Sequence, residues 1–372
     1  MKRSPFLIYS VLKNWLSYKF GFPEPTPIGY VIIGVTYSCN AKCGMCGIYD
    51  IYAHNPDLIH KELPLSAVLA RLKESSLMRK ISHIDLTGGE PFLKEGLKDF
   101  IAGVFELKNI KLVSINTNGL LTDSITGDCE YILSVINPKK HFSVSISIDG
   151  IGDIHDRIRG FPGAFANVEN TISRLKILRG RHANFKIRSN TVIQPENINF
   201  LNAIKDYWSN HGIEGAYSLA QDTFYTHSPR KTIPDGVIFS HEDIEKIKAL
   251  NPKSKGSEYY LEHNFTRPLH CFAGYAAVFI DPLGDVYPCN FLARNEEYAI
   301  GNIRHEAIDN IWSSANASFI RAKARNCPYK SCWNGCEVDQ TTVQYEPMDK
   351  LIKVFSFGIT GYYKIKGLDN FR

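Results

Sequence analysis

Residues 30–46 read YVIIGVTYSCNAKCGMC: an unbroken apolar, β-branched run that ends at three cysteines spaced C-x3-C-x2-C. The run lacks the polar alternation of a half-exposed strand, as expected where a parallel sheet is covered on both faces. Cys39, Cys43 and Cys46 follow it on one short loop. Three thiolates so placed can ligate three irons of a four-iron cluster and leave the fourth iron open. An open iron can bind a substrate, whereas a saturated one only passes electrons. Zinc is the competing occupant, but zinc sites mostly use ligand pairs and need a fourth donor.

Outward from this stretch, β-rich runs recur at 81–86, 110–116, 141–148, 185–193 and 214–220, with helical patterns near 65–79, 94–106, 122–136, 163–179 and 196–210. Strands alternating with helices imply a parallel sheet. Six such units predict an α/β fold, a partial (β/α)6 barrel with ligands at the C-terminal strand ends. Ahead of it, Ile8, Val11, Leu12, Trp15 and Leu16 recur at helical spacing with Ser10, Lys13, Asn14 and Ser17 opposite, which predicts an amphipathic helix over 5–20. Pro23, Pro25 and Pro27 end it. Residues 226–270 read as an irregular bridge with one helix near 241–250. From 271, two β-rich runs flank Asp281-Pro282-Leu283-Gly284-Asp285 as a hairpin, and a helix near 305–325 precedes the last cysteines. The expected divisions are 1–28, a helix and Pro-rich linker; 29–225, the barrel; 226–270, the bridge; 271–340, a small cysteine-rich hairpin and helix domain; and 341–372, an aromatic and basic extension.

The 372 residues are 44% hydrophobic and 22% charged, ordinary values for a soluble globular chain. A net charge of +5 with no Lys/Arg run argues against nucleic acid. Eight of the nine cysteines fall in two groups, which reads as metal ligation in a reducing, cytoplasmic setting rather than a disulfide framework. Lys13 and Asn14 interrupt the only signal-like stretch, and no apolar run reaches the roughly 18 residues of a spanning helix.

The cysteine loop resembles the signature of the radical S-adenosylmethionine (SAM) superfamily. The resemblance implies that Cys39, Cys43 and Cys46 hold a 4Fe-4S cluster whose open iron chelates SAM, and that reductive cleavage yields a hydrogen-abstracting 5′-deoxyadenosyl radical. Met45 stands where an aromatic residue usually packs near the adenine. Thr87-Gly88-Gly89-Glu90-Pro91 resembles the family's GGEP segment, whose glycines admit close backbone approach and whose carbonyls and Glu90 would accept from the SAM ammonium. Asn116-Thr117-Asn118-Gly119 resembles the turn closing the third strand. Ser145, Ser147 and Asp149 alternate along the fourth strand and share a face, suited to a ribose and a carboxylate, although Asp149 could equally cap the next helix. His155-Asp156-Arg157-Ile158-Arg159-Gly160 resembles the HDxxRG segment; Arg159 would order the loop, pair with a carboxylate or sit in solvent. Arg188, within the apolar fifth strand, is the candidate for the SAM carboxylate because a buried charge needs a partner; Asn190 shares its face.

Cys271, Cys289, Cys327, Cys332 and Cys336 resemble the SPASM and twitch extensions of this superfamily, which hold auxiliary four-iron clusters. Seven cysteines would serve two clusters; five imply one, held by Cys271, Cys289 and Cys336 with Cys332 or Cys327, against a zinc ribbon as the alternative. Asn290 occupies the position of a carboxylate base in related dehydrogenases. Cys129, alone in a helical pattern, reads as a plain buried residue. The expected substrate is a small molecule, a sugar or a lipid-linked compound, because only about 30 residues precede the barrel where peptide-modifying members carry a binding module. A peptide substrate is the alternative, and a non-catalytic iron–sulfur protein the alternative of another class. An electron donor of the flavodoxin or ferredoxin type is implied. The basic helix at 5–20 and the aromatic, Lys-rich C-terminus add the expectation of peripheral contact with the inner membrane face, against simple packing across the barrel.

Overall fold

Six parallel strands lie side by side in chain order: β1 Tyr30–Thr36, β2 His83–Gly88, β3 Leu112–Thr117, β4 His141–Ser147, β5 Phe185–Ile193 and β6 Glu214–Leu219. The computed structural model describes residues 5–22, 24–26, 30–227, 239–250, 271–329 and 332. Helices α3 Leu65–Glu74, α4 Leu97–Phe105, α5 Thr122–Val135, α7 Ala164–Arg181 and α8 Leu201–Asn210 form the strand-to-strand crossovers. On the outer face Ile84, Leu86, Val113, Ile115, Val144, Ile146 and Ile187 meet Leu72, Ile101, Ile125, Ile172 and Ile204 in one buried core. Each such side chain contributes roughly 1.5–3 kcal/mol of burial. The inner face is polar. Register places Asp85, Ser114, Ser143 and Lys186 in one layer, and Asn116, Ser145, Arg188 and Glu214 in the next.

Two short helices escape the sequence reading, α2 Ile48–His54 and α6 Asp153–Arg159. Both are too short for a periodic pattern to show. The expected helix at 241–250 is α9 His241–Ala249, and the one near 305–325 is two, α10 Ile308–Ser313 and α11 Ala315–Ala324. Ser314 separates them and caps the second by accepting from the Ala317 N–H at 2.9 Å.

The hairpin after residue 271 does not start a detached unit. Its strand β7 Phe279–Ile280 pairs in parallel with β1, and β8 Asp285–Tyr287 and β9 Gly301–Asn302 extend the same sheet to nine strands. Tyr37 donates to Asp281 Oδ2 at 2.7 Å, tying the hairpin turn to the barrel. Burial pushes the Asp281 carboxyl up to about 7. The expected extension at 341–372 lies outside the described residues.

The first helix, α1 Pro5–Phe20, is rotated relative to expectation. Ser10, Asn14 and Ser17 are buried with Val11 and Tyr18, while Tyr9, Leu12 and Phe20 face outward. Small hydroxyl residues admit close packing, and the Asn14 amide meets backbone that would otherwise be orphaned. It donates to the Thr26 and Tyr275 carbonyls at 2.9 and 3.2 Å and accepts from the Thr26 N–H at 2.7 Å. Tyr18 stacks on Phe272 and Tyr275 with ring centroids 4.8 and 5.2 Å apart. Among the described residues no helix is long and apolar enough to cross a membrane. Asn14→Ala leaves buried backbone groups unpaired, so we expect a loss of about 2–3 kcal/mol, read as a lower urea midpoint at unchanged slope.

Candidate active site

The cysteine loop leaves β1 and is held on three sides by backbone. Gly89 and Glu90 donate to the Thr36 and Ser38 carbonyls, both at 2.7 Å. A Cβ at Gly88 or Gly89 would stand 2.3 or 2.1 Å from those same oxygens, so the glycine pair is required by the exit of β1. Lys42 and Gly44 donate to the Arg159 and Ile158 carbonyls at the end of α6, both at 3.1 Å. Gly160, at φ +60°, lets that end approach, since a Cβ there would lie 2.4 Å from the Lys42 oxygen. On the third side Gly47 donates to the Thr226 carbonyl at 2.9 Å. The segment after β6 thus docks on the loop.

Glu62, unremarked in the sequence, supports the base of the loop. It accepts from Thr36 Oγ1 at 2.8 Å, from the Tyr37 N–H at 2.7 Å and from Tyr52, and pairs with the half-buried Lys94 at 2.5 Å. No motif marks it, because it comes from the excursion between β1 and α3.

Two expected SAM contacts are used by the protein itself. The Glu90 carboxylate is fully buried and accepts from Thr117 Oγ1 at 2.8 Å, the Asn118 N–H at 2.7 Å and the Phe92 N–H at 3.2 Å. It ties the end of β2 to the turn after β3, and burial pushes it up to about 7 despite these donors. Asp149 is also fully buried: its Oδ1 accepts from the Val192 N–H at 2.8 Å, and its Oδ2 lies 2.7 Å from Arg159, an ion pair off the hydrogen-bond angle. Arg159 in turn donates to Cys43 Sγ at 3.8 Å, so the HDxxRG arginine orders the loop through Asp149. His155 accepts from the Asp149 N–H at 3.1 Å.

Asn118 donates to Asn40 Oδ1 at 2.7 Å and faces Cys39 Sγ at 4.0 Å. Met45 and Cys43 are buried in an apolar cluster with Ala41, Leu120, Ile158, Ala164 and Ala220, against which Cys39 and Cys46 pack. Burial pushes the Cys39 thiol up to about 12 and raises that of Cys43, with Arg159 opposing the second shift. Ser145, Ser147 and Asn190 line the inner face, half-buried. Arg188 shares that face but is not the buried charge expected: its side chain is 48% exposed and its ion pair with Glu214 is loose, at 3.7 Å. The open inner side of a partial barrel keeps such a charge hydrated. The donor set fits an iron–sulfur cluster: three thiols lie on one loop against a shared apolar cluster, and a guanidinium and an amide are directed at two of their sulfurs. Among the described residues no three His, Cys, Asp or Glu close on a single metal ion.

In the second group, Cys271, Cys289 and Cys327 share one apolar cluster with Tyr225, Phe279, Tyr287, Tyr298 and Tyr329. They come from three segments: the chain before β7, the end of β8 and the turn after α11. Gly274 donates to the Pro288 carbonyl at 3.1 Å, which brings the first segment against the second. The same cluster reaches Cys46, so packed aromatic rings lie between the two thiol sets. Cys332 is buried, and Cys336 lies outside the described residues. Cys129 is buried, as expected.

Residues 33–205 match the radical SAM superfamily model, and residues 271–337 match the SPASM model, described as an iron–sulfur cluster-binding domain. The chain belongs to the radical SAM superfamily. Such an enzyme carries a four-iron cluster and SAM, with a SPASM auxiliary cluster beyond the barrel. The sporulation killing factor maturation protein SkfB of Bacillus subtilis is 24% identical over 300 residues, 79% of this chain and 67% of that one. The antilisterial bacteriocin subtilosin biosynthesis protein AlbA of the same organism is 23% identical over 345 residues, 85% of this chain and 68% of that one. A GTP 3′,8-cyclase of Helicobacter pylori is 26% identical over 328 residues, 82% of this chain and 92% of that one. Among solved structures, Streptococcus suis SuiB bound to SAM superposes with a TM-score of 0.58 at 17% identity, over 84% of this chain and 74% of that one. The structure of anSMEcpe with bound SAM gives 0.55 at 18% identity, over 88% and 99%. These likenesses show the fold.

Two outcomes follow for the radical SAM site. Arg159→Met leaves the Asp149 carboxylate buried and unpaired, at a cost of about 3–5 kcal/mol, and loosens the loop at Cys43. A lower urea midpoint and less iron per chain after anaerobic reconstitution are expected. His155 titrates near 3 in the fold, lowered chiefly by burial, against an ordinary 6.5. The unfolded chain therefore takes up a proton that the fold refuses, and stability falls as pH drops from 6.5 toward 3. In His155→Gln the urea midpoint should fall less steeply over that window. His83, lowered to about 4, preserves part of the slope.

Proposed function

We propose that this radical SAM enzyme acts on a peptide, with Cys39, Cys43 and Cys46 as ligands of the SAM-binding cluster and Cys271, Cys289 and Cys327, joined by Cys332 or Cys336, as ligands of the auxiliary one. Bound there, the cluster and SAM supply hydrogen abstraction from carbon. The chain's own residues shape that chemistry. Arg159 and Asn118 set the thiols, the Met45 cluster keeps water from them, and Ser145, Ser147 and Asn190 offer hydrogen bonds to the bound SAM.

The observation that carries the peptide reading over the small-molecule one is the charge of the inner face. Its two polar layers hold Asp85 and Glu214 with Lys186 and Arg188, equal numbers of acids and bases. A polyphosphate would want a cationic cradle, which these layers lack, whereas a dipolar peptide segment meets both signs. SkfB and AlbA, by name a maturation and a bacteriocin biosynthesis protein, and SuiB solved with its precursor peptide SuiA, support the same choice. Likeness to a GTP cyclase over most of the chain keeps a nucleotide as the second reading.

Anaerobic reconstitution should give about eight irons per chain, falling to about four with loss of 5′-deoxyadenosine release when Cys39, Cys43 and Cys46 are all replaced by Ala. Pooled synthetic peptides incubated with SAM and reductant should yield a product that has lost hydrogen, by mass spectrometry. Modification of GTP and of no peptide would replace this reading with the nucleotide one.

A further inference from the structure

Deep to the strand ends that present the cysteine loop, Asp85 begins a polar layer that runs from β2 to β5. Its side chain is nine-tenths buried. Oδ1 accepts from Ser114 Oγ, which also meets His83 Nε2 at 2.7 Å, and Tyr30 adds a further hydrogen bond to the carboxylate. Asn116 Nδ2 stands 3.3 Å from Oδ2 and divides itself with the Leu86 carbonyl at 3.4 Å. Both are beyond the usual 2.7–3.2 Å range, and a carboxylate has about four acceptor positions.

A second observation points the same way. Ser143, beside Ser114 in the same layer, is 2% exposed and its hydroxyl has no partner among the described residues. A native fold rarely leaves such a group alone unless something else completes it. The neighbours on the opposite face are Ile84, Leu86, Val144 and Ile146, all fully buried. Three strands over, on β5, Arg188 is half exposed and loosely held by Glu214. The inner face thus carries an acceptor on β2 and a cation on β5.

We infer that Asp85, backed by Ser114, Asn116 and Ser143, is the substrate-specificity floor of the reaction chamber and holds a hydrogen-donating amino group of the substrate. The adjoining carbonyl or carboxylate turns toward Arg188. That pair of contacts fixes which carbon is offered to the radical above. The choice of a peptide-like ligand rests on the peptide reading; the acceptor role of Asp85 does not.

The probe is the free dipeptide Gly-Gly, compared with N-acetyl-Gly-Gly, which lacks the ammonium. Binding to the cluster-loaded, SAM-bound enzyme is read anaerobically by saturation-transfer NMR and calorimetry. Wild type should prefer Gly-Gly by about tenfold or more, as for a hydrogen bond to a charged group. Asp85→Asn should abolish the preference, with Asp85→Glu restoring part of it, while iron content stays constant. Equal affinity of the two probes for wild type, no binding of Gly-Gly at all, or a preference that survives in Asp85→Asn overturns the assignment. The wild-type comparison decides even if the variants do not fold. An Asp85-dependent preference alongside peptides that never react would keep the floor and replace the peptide by a small amine.

Discussion

The arrangement of the site depends on one ion pair. The Arg159 guanidinium lies between the Asp149 carboxylate and Cys43 Sγ, with all three buried. A charge in such a place is tolerated only when its partner is fixed. Asp149 is fixed by the Val192 N–H, and its own backbone N–H is received by His155. The ends of β4 and β5, the helix α6 and the cysteine loop therefore move together or not at all. The carbonyls of Ile158 and Arg159 then carry the loop itself.

The same economy recurs one strand over. Glu90 joins the end of β2 to the turn after β3 through two backbone N–H groups and Thr117. Side chains that look like ligand contacts in a motif are here the joints between strand ends. What is left to face a ligand at these strand ends is smaller and softer: serines, asparagines and backbone.

Much of this was legible from residues alone. The runs at 30–36 and 185–193 are the strands β1 and β5 to the residue, because β-branched stretches buried against helices have no competing reading. The motif glycines were legible too, though their reason differs: at Gly88 and Gly89 the close neighbour is the chain's own Thr36 and Ser38. Arg188 was misread although Lys186, Arg188 and Asn190 alternate along β5 onto one face, the pattern of a strand with one side in open space. Glu62 and Thr226 were missed because they reach the loop from distant segments, and no local spacing encodes that. In α1 the periodicity was right and the facing wrong, since Ser10, Asn14 and Ser17 are small enough to be an interface.

The pairing of β7 with β1 bears on how the chain is made. β1 is apolar on both faces, and before β7 arrives one of its edges is an open row of amides and carbonyls, the kind of edge that recruits other chains. Some 240 residues separate the two strands. A growing chain thus carries that edge of the barrel uncovered until the hairpin emerges. The auxiliary-cluster region is, in this sense, the border of the catalytic sheet.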